Sequence, residues 1–359
     1  MKKLLTIILC IAIIFTFTTG CGQNSDPVDE PADQQTDVQE EVQEPEQPET
    51  PEVPEETVET EEPEYKFTFD PKAVSGYWKE IFGESMVDTW YNVVDAALNG
   101  EDTFECPDED TLGWVIGQFP EKCFPVLGEL IAADYGSAHD GTARLLYLTS
   151  REEFDEKVAE FTAQVEEILN ETMKEEYTDM EKALSLYRYF CSHYEYDYDT
   201  YEGMYNEPQD QVRCYRLFEE GIGICQELST AYSFLLTQAG VDATIMMGGD
   251  HAWSYVRING NNYHIDPTFV LGEPVNMAYF MMTDGQRRYT YSDDGEWTIG
   301  SVFVHEHEHP EYEEFVADDE FFKDIWDTTL VDFDHDKHVI HCTSIFDGEG
   351  DIDFDYEGF

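Results

Sequence analysis

Apolar residues recur at a helical period through the middle of the chain. In "SREEFDEKVAEFTAQVEEILNET", Phe154, Val158, Phe161, Val165 and Ile168 make one face, and Ser150 with Glu153 stand where a capping box would start the helix. "TDMEKALSLYRYFCSHYEYDYD" repeats the device with Thr178 and Glu181. A third helix is predicted in "GIGICQELSTAYSFLLTQAG". There Leu228, Ala231, Tyr232, Leu235, Leu236 and Ala239 form the stripe, Cys225 opens it and Gly240 stops it. Earlier, "DPKAVSGYWKEIFGESMVDTWYNVVDAALNGE" reads as helices, with Asp70 as a cap and Pro71 at the first helical position. A less regular stretch follows to about Thr149.

After Gly240 the period changes. "VDATIMMGG" reads as a strand, and "HAWSYVRI" and "NYHIDPTF" flank Asn259-Gly260-Asn261-Asn262, a strong hairpin signal. From about Gly300 acidic and aromatic residues alternate, a pattern that adds strands or wraps the core. No internal repeat is evident.

The N-terminus is of another kind. Lys2 and Lys3 precede an apolar run from Leu4 to about Phe17, too short for a typical membrane span. The run ends in Thr-Thr-Gly-Cys, which resembles the bacterial lipoprotein signal, with Thr18 where leucine is usual. The resemblance implies that Cys21 is lipidated and becomes the mature N-terminus. An ordinary signal peptide and an uncleaved anchor are the other readings. All three put the body outside the cytoplasm, and an acyl anchor holds it at the extracellular face of the bacterial cell membrane. Residues 22–64 contain no Lys, Arg or aromatic residue and repeat Glu, Pro, Gln, Thr and Val. Such a segment is too polar and too self-repelling to order itself. It reads as an acidic tether through a cell wall, or as an acidic tail for a partner.

Composition narrows the partners. With 359 residues, 41% of them hydrophobic, the chain can bury a sizeable core. Its formal net charge is -61, of which the tether carries only part. An acidic body argues against nucleic-acid binding, which needs Lys and Arg to neutralise phosphate. Among eight cysteines, Cys10 leaves with the signal, Cys21 carries lipid and Cys225 is in question. Cys106, Cys123, Cys191, Cys214 and Cys342 remain, an odd number for a set of disulfides. Cys106 and Cys123 are the most local pair a bridge would join. The absence of a CxxC pair argues against zinc.

The hairpin carries the first chemical argument. If Asn259-Gly260 is a two-residue turn, Ile258 faces Asn261 and His251 faces Thr268. Asp266 then lies diagonally from His251 on the same face, roughly 7–8 Å away at the backbone. Asp266 can accept the proton of one ring nitrogen and leave the other for a thiol. Cys225 sits at a helix N-terminus, where roughly half a positive charge and free amides stabilise a thiolate. The imidazole holds the thiol proton and returns it to a leaving group. Amides of the loop before Cys225 would help an oxyanion. Each residue alone is ordinarily structural; the three together, in this order, point to chemistry.

The stretches "GIGICQELSTAYSFLLTQAGVDATIMMGG", "DHAWSYVRI" and "YHIDPTF" resemble the transglutaminase-like superfamily. That family shows a Cys opening a helix, a His-Ala-Trp motif on a strand and an Asp-Pro-Thr motif on the next. The resemblance covers about residues 178–270. It implies an α+β, papain-like fold, a triad of Cys225, His251 and Asp266, and acyl transfer through a thioester. Water as acceptor gives a protease or amidase; an amine gives a cross-linking enzyme. The resemblance also directs attention to Tyr194 and Tyr196, since an aromatic or amide side chain often completes the oxyanion hole; packing is the other reading of both. Trp253 either walls the cleft or fills core.

Departures matter. Family members often read Cys-x-Gly-(Tyr/Phe)-Ala, where this chain has Cys225-Gln226-Glu227-Leu228-Ser229. An inward Glu227 carboxylate would oppose a thiolate. Phe269 stands where Trp is frequent. His305, His307 and His309 alternate and would share one strand face, as a metal site or, more plainly, as a polar edge. "DFDHDKH" and "DGEGDIDFD" match no EF-hand loop. No metal or cofactor is expected.

The expected organisation is a signal over 1–21, a tether over 22–64, a mainly helical region over 65–150, the transglutaminase-like domain over 151–300 and an acidic extension over 301–359. The expected function is a surface-anchored cysteine enzyme acting on peptide or protein amide bonds, with protease or amidase activity ahead of cross-linking. The rival is a catalytically silent module that binds a peptide or cell-wall component. A purely structural spacer leaves the three-residue pattern unexplained.

Overall fold

The computed structural model describes residues 66–203, 212–272, 274–291, 296–300, 302–303, 315–346 and 350–359. The signal with Cys21, the tether and the run holding His305, His307 and His309 lie outside the described residues. Asp70 does not cap a helix. Its carboxylate accepts the Lys72 N–H at 2.9 Å in a tight turn, and the Gln238 side chain fastens its backbone, accepting its N–H at 3.0 Å and donating to its carbonyl at 2.9 Å. The first helix, α1 (Gly76–Phe82), starts later, with the Ser75 hydroxyl as its cap.

Next come α2 (Glu84–Asn99), β1 (Thr103–Glu105), α3 (Glu109–Cys123), α4 (Leu127–Leu130), β2 (Ile131–Ala133) and β3 (Thr142–Tyr147). The three strands form an antiparallel sheet in the order β1-β3-β2. β1 and β2, of three residues each, are too short to show a period of two, and the alternation in β3 covers only six residues, so the expectation of a mainly helical region missed them. The amphipathic runs are α5 (Arg151–Thr172) and α6 (Asp179–His193). Ser150 Oγ accepts the Glu153 N–H at 3.3 Å, but the Glu153 carboxylate turns to Thr149, so only half of that box forms. The Thr178–Glu181 box is complete, at 3.3 and 2.7 Å.

The remaining elements are β4 (Glu195–Tyr196), α7 (Tyr198–Gly203), α8 (Cys214–Glu220), β5 (Ile222–Gly223), α9 (Cys225–Gln238), β6 (Asp242–Gly248), β7 (His251–Ile258), β8 (Asn261–Ile265), α10 (Asp284–Tyr291), β9 (Trp297–Ile299), β10 (Val302–Phe303), β11 (Thr328–Asp334), β12 (Val339–Ser344) and β13 (Asp351–Asp355). An antiparallel five-stranded sheet runs β10-β9-β6-β7-β8, and a separate antiparallel sheet runs β11-β12-β13. The fold is α+β.

Helix α9 packs on one face of the five-stranded sheet. The other face is covered by a cluster including Tyr77, Trp253, Tyr255, Trp297 and Phe315. With both faces of β7 covered, seven of its eight residues are buried, the polar His251 and Ser254 among them. Cys106, Cys123, Cys191, Cys214, Cys225 and Cys342 are all buried, and no disulfide joins any of them among the described residues. No Cys106–Cys123 bridge forms, and the Cys106 thiol donates to the Asp108 carbonyl at 3.3 Å. Among the described residues, no helix is long and apolar enough to cross a membrane.

Glu181 ties the acidic C-terminal sheet to the core. Its buried carboxylate accepts from the Thr178 N–H and the Tyr356 hydroxyl and pairs with the His335 ring at 2.9 Å. Burial would raise it, but these partners hold it below the usual carboxylate range. In urea melts, Glu181→Ala should cost about 3 kcal/mol, since the buried Tyr356 hydroxyl and the partly buried His335 ring lose their acceptor. Thr178→Ala, which removes only the cap, should cost about 1 kcal/mol.

Candidate active site

The approach to Cys225 is narrow. Helix α8 ends at Gly221, and β5 then pairs in parallel with β4, which sets Tyr196 opposite Gly223. A Cβ at Gly223 would lie 3.0 Å from Leu217 Cδ1 and 3.1 Å from Glu227 Cβ. Glycine is what lets the chain pass here and turn into α9, whose first residue is Cys225. One turn later the helix is fastened to the sheet. Ser229 Oγ donates to the Ala252 carbonyl and Ser254 Oγ to the Ser229 carbonyl, each at 3.0 Å. Ser233 Oγ donates to the Thr244 carbonyl at 2.8 Å.

The hairpin turn has the two-residue form. Asn259 (φ +53°) and Gly260 (φ +81°) are both left-handed, as the type I′ turn requires. Ile258 pairs with Asn261 and Ser254 with Ile265, so Asp266 falls diagonally from His251. His251 Nε2 lies 2.7 Å from Asp266 Oδ2. Asp266 Oδ1 accepts the Thr268 N–H at 3.1 Å, and the Asp266 N–H donates to the Tyr279 carbonyl at 2.9 Å, so the carboxylate is held from both ends.

The Cys225 side chain lies beside the His251 ring and helps it hold its proton. With Nε2 engaged by Asp266, Nδ1 is the nitrogen left for the thiol. Cys225 is 6% exposed and His251 7%. Burial by itself would lower the ring's pKa. The charge and hydrogen bond of Asp266, followed by the Cys225 thiol, outweigh burial and push it up to about 9. Burial pushes the Cys106, Cys123, Cys214 and Cys342 thiols up instead, Cys123 to about 12. Those four are therefore poor nucleophiles at neutral pH.

Tyr196 packs against the small cluster of Cys225, Ile245 and Ala252. Its hydroxyl is within hydrogen-bond reach of the Cys225 backbone. Burial and then the neighbouring Cys225 charge raise it above the usual phenol range. Tyr194 is not at the site. It ends α6, and its ring folds back on Phe190 at 4.6 Å. Among the described residues no group of His, Cys, Asp and Glu is suited to a metal ion.

Residues 166–270 match the model of the Transglutaminase-like superfamily. This stretch is a transglutaminase-like superfamily domain. Comparison with the curated proteins gave no match. The matched stretch ends at Val270, in the short 3-10 turn that follows Asp266.

Within this transglutaminase-like domain Glu227 departs from the expectation of a charge opposing the thiolate. Its carboxylate turns back from the helix to accept the Ile224 N–H at 2.9 Å and the Arg213 N–H at 3.1 Å. Arg216 grips both its oxygens, at 2.8 and 2.7 Å, and also reaches Asp197 at 2.7 Å. The negative charge is thus neutralised by a partly buried guanidinium. The same guanidinium ties the helix bearing Cys225 to the residue after Tyr196.

Sequence reasoning missed Arg216, Asp250 and Tyr291. Tyr291 stacks on His251 with centroids 4.7 Å apart, and its hydroxyl donates to Asp250 at 2.9 Å. No local pattern marks these residues; the nearest signal is an acid in the first turn of a helix that has no side-chain cap. Phe269, flagged as a departure, lies against His251 at 5.4 Å.

Removing Arg216 leaves Glu227 buried without its cation. Arg216→Ala should therefore destabilise by about 3–5 kcal/mol. The double variant with Glu227→Gln should recover much of this, read by chemical denaturation. The raised His251 ring also has a stability signature. The folded ring titrates at about 9 and an unfolded one near about 6.5. Its contribution, about 2–3 kcal/mol, is whole below about pH 6.5 and is lost as pH rises through about 9. Unfolding free energy followed from pH 6 to pH 10 should fall less in Asp266→Asn than in the wild type.

Proposed function

We propose that the chain is a cysteine enzyme that opens peptide or protein amide bonds through a thioester, with water ahead of an amine as the acceptor. The observation carrying this reading is the order Cys225–His251–Asp266, with the thiol at the start of α9 beside a ring that Asp266 holds at 2.7 Å. His251 Nδ1 takes the thiol proton and Asp266 holds the imidazolium. The thiolate attacks the amide carbonyl, and the oxyanion is met by the N-terminal amides of α9 and the Tyr196 hydroxyl. His251 then protonates the leaving amine, and a thioester to Cys225 remains. His251 deprotonates a water, the water opens the thioester, and carboxylic acid and free thiol result. The preference for water rests on the resemblance to bacterial hydrolases. We also propose that lipid on Cys21 holds this body at the extracellular face of the cell membrane, where peptides and cell-wall components are within reach.

The thiol chemistry is tested by alkylating the full-length protein with iodoacetamide and reading each cysteine by peptide mass spectrometry. Cys225 should react fast at pH 6–7, well below about 8.5 where a free thiol titrates, and His251→Ala should slow it at least about tenfold. Equal rates in both proteins would instead favour the silent binding module. Product mass then separates the acceptors, since hydrolysis adds water and transfer adds the supplied amine. Separately, cells fed a clickable palmitate analogue should label the wild type and not Cys21→Ala.

A further inference from the structure

Two histidine–aspartate pairs lie side by side on the β7–β8 hairpin. One is His251–Asp266. The other is His264–Asp284, with His264 fully buried and its Nε2 2.9 Å from Asp284 Oδ1. His264 Nδ1 accepts the Trp253 indole N–H at 2.8 Å, so Nε2 carries the proton that Asp284 accepts. Both nitrogens are engaged, and this second pair has no free nitrogen for chemistry.

What the second pair does is hold α10. Asp284 is the first residue of that helix, and its Oδ1 also accepts the Ala317 N–H at 3.2 Å. At the far end Tyr291 donates to Asp250, the residue before His251. Between them Arg287 is 1% exposed, with its guanidinium 3.9 Å from the Trp253 ring and 4.6 Å from the Tyr291 ring. Trp253 and Tyr291 lie 6.0 and 4.7 Å from His251, with interplanar angles of 19° and 21°.

We propose that α10 is a positioning strap for His251: anchored by His264–Asp284 at its first turn, it lays the Tyr291 ring flat on the imidazole and holds the plane and the positive charge that pairing with Cys225 needs. This inference rests on the Cys225–His251 reading. A histidine ring turns about a broad sp²-type torsion, so hydrogen bonds at its edge leave it free to tilt, and a ring against its face does not. The negative face of a phenol also favours a cation beside it. The charged and titratable groups around His251 are Asp266 after β8, Cys225 on α9, Asp250 in the β6–β7 turn and Tyr291 on α10. Arg287 stands against Tyr291 and Trp253 and opposes a positive ring. The stacking therefore has to be separated from the charges, and Tyr291→Phe does so because it keeps the ring and removes only the hydroxyl.

The pH profile of Cys225 alkylation in the full-length protein is the test, with melting temperature recorded for each variant. Tyr291→Leu, at a half-buried surface position, should raise the pH of half-maximal alkylation by about one unit. Tyr291→Phe should stay within about twofold of the wild-type rate. Asp284→Ala should reproduce the Tyr291→Leu shift, and the double variant should add nothing to it. A Tyr291→Leu profile that superimposes on the wild type overturns the strap. So does Tyr291→Phe matching Tyr291→Leu, or additive shifts in the double variant. His251→Ala distinguishes the levels. If it leaves the wild-type profile unchanged, the catalytic reading fails and the strap with it. If it changes the profile while Tyr291→Leu does not, the strap alone fails.

Discussion

The site depends on the fastening of α9 to β7. Cys225 and His251 belong to different elements, and only a fixed register between helix and strand keeps thiol and imidazole side by side. Ser229 and Ser254 supply that register by donating across the contact to each other's element, and Ser233 adds a bond to the Thr244 carbonyl of β6. Serines are weak helix formers, and in an isolated helix they would compete with the backbone. Here they allow close approach and satisfy buried polar groups in one arrangement only. A contact made only of leucines would tolerate sliding.

A buried charge network sets the other side of the thiol. Glu227 replaces a small residue expected from the family pattern, and an unpaired carboxylate two residues from Cys225 would be costly. Arg216 grips both its oxygens and reaches on to Asp197, joining α8, α9 and the end of β4. The departure in sequence is thus compensated by a cation nine residues before Cys225. The same network places Tyr196 beside Cys225, because Asp197 follows it directly and β4 pairs with β5 just ahead of α9.

The two histidine–aspartate pairs show how the same residue types reach opposite ends. His264 is enclosed, with an indole N–H on one nitrogen and a carboxylate on the other. His251 has one nitrogen bound by Asp266 and the other left for a thiol. Chemistry is available only where one nitrogen remains open. Burial sets the strength of each pair; neighbouring geometry decides which one can exchange a proton.

Much of this was legible in local pattern. The stripes of α5, α6 and α9, the Thr178–Glu181 box, the Asn259-Gly260 turn and the diagonal of His251 and Asp266 all follow from periods of 3.6 and 2 and from turn chemistry acting between near neighbours. Asp70 caps a tight turn and not a helix, in a backbone held on both sides by Gln238, 168 positions away. Tyr194 and Tyr196 could not be told apart, since their difference is made by a helix end and by a parallel strand from beyond Gly221. The pairing of Glu227 with Arg216, and the seating of Tyr291 on His251, likewise came only from the tertiary structure. The sequence by itself determined which elements form and which residue types could react, because those depend on interactions a few residues apart. Tertiary structure decided which charges are neutralised, which histidine is open and which aromatic lies at the thiol, because those depend on burial and on partners the chain brings together only when folded.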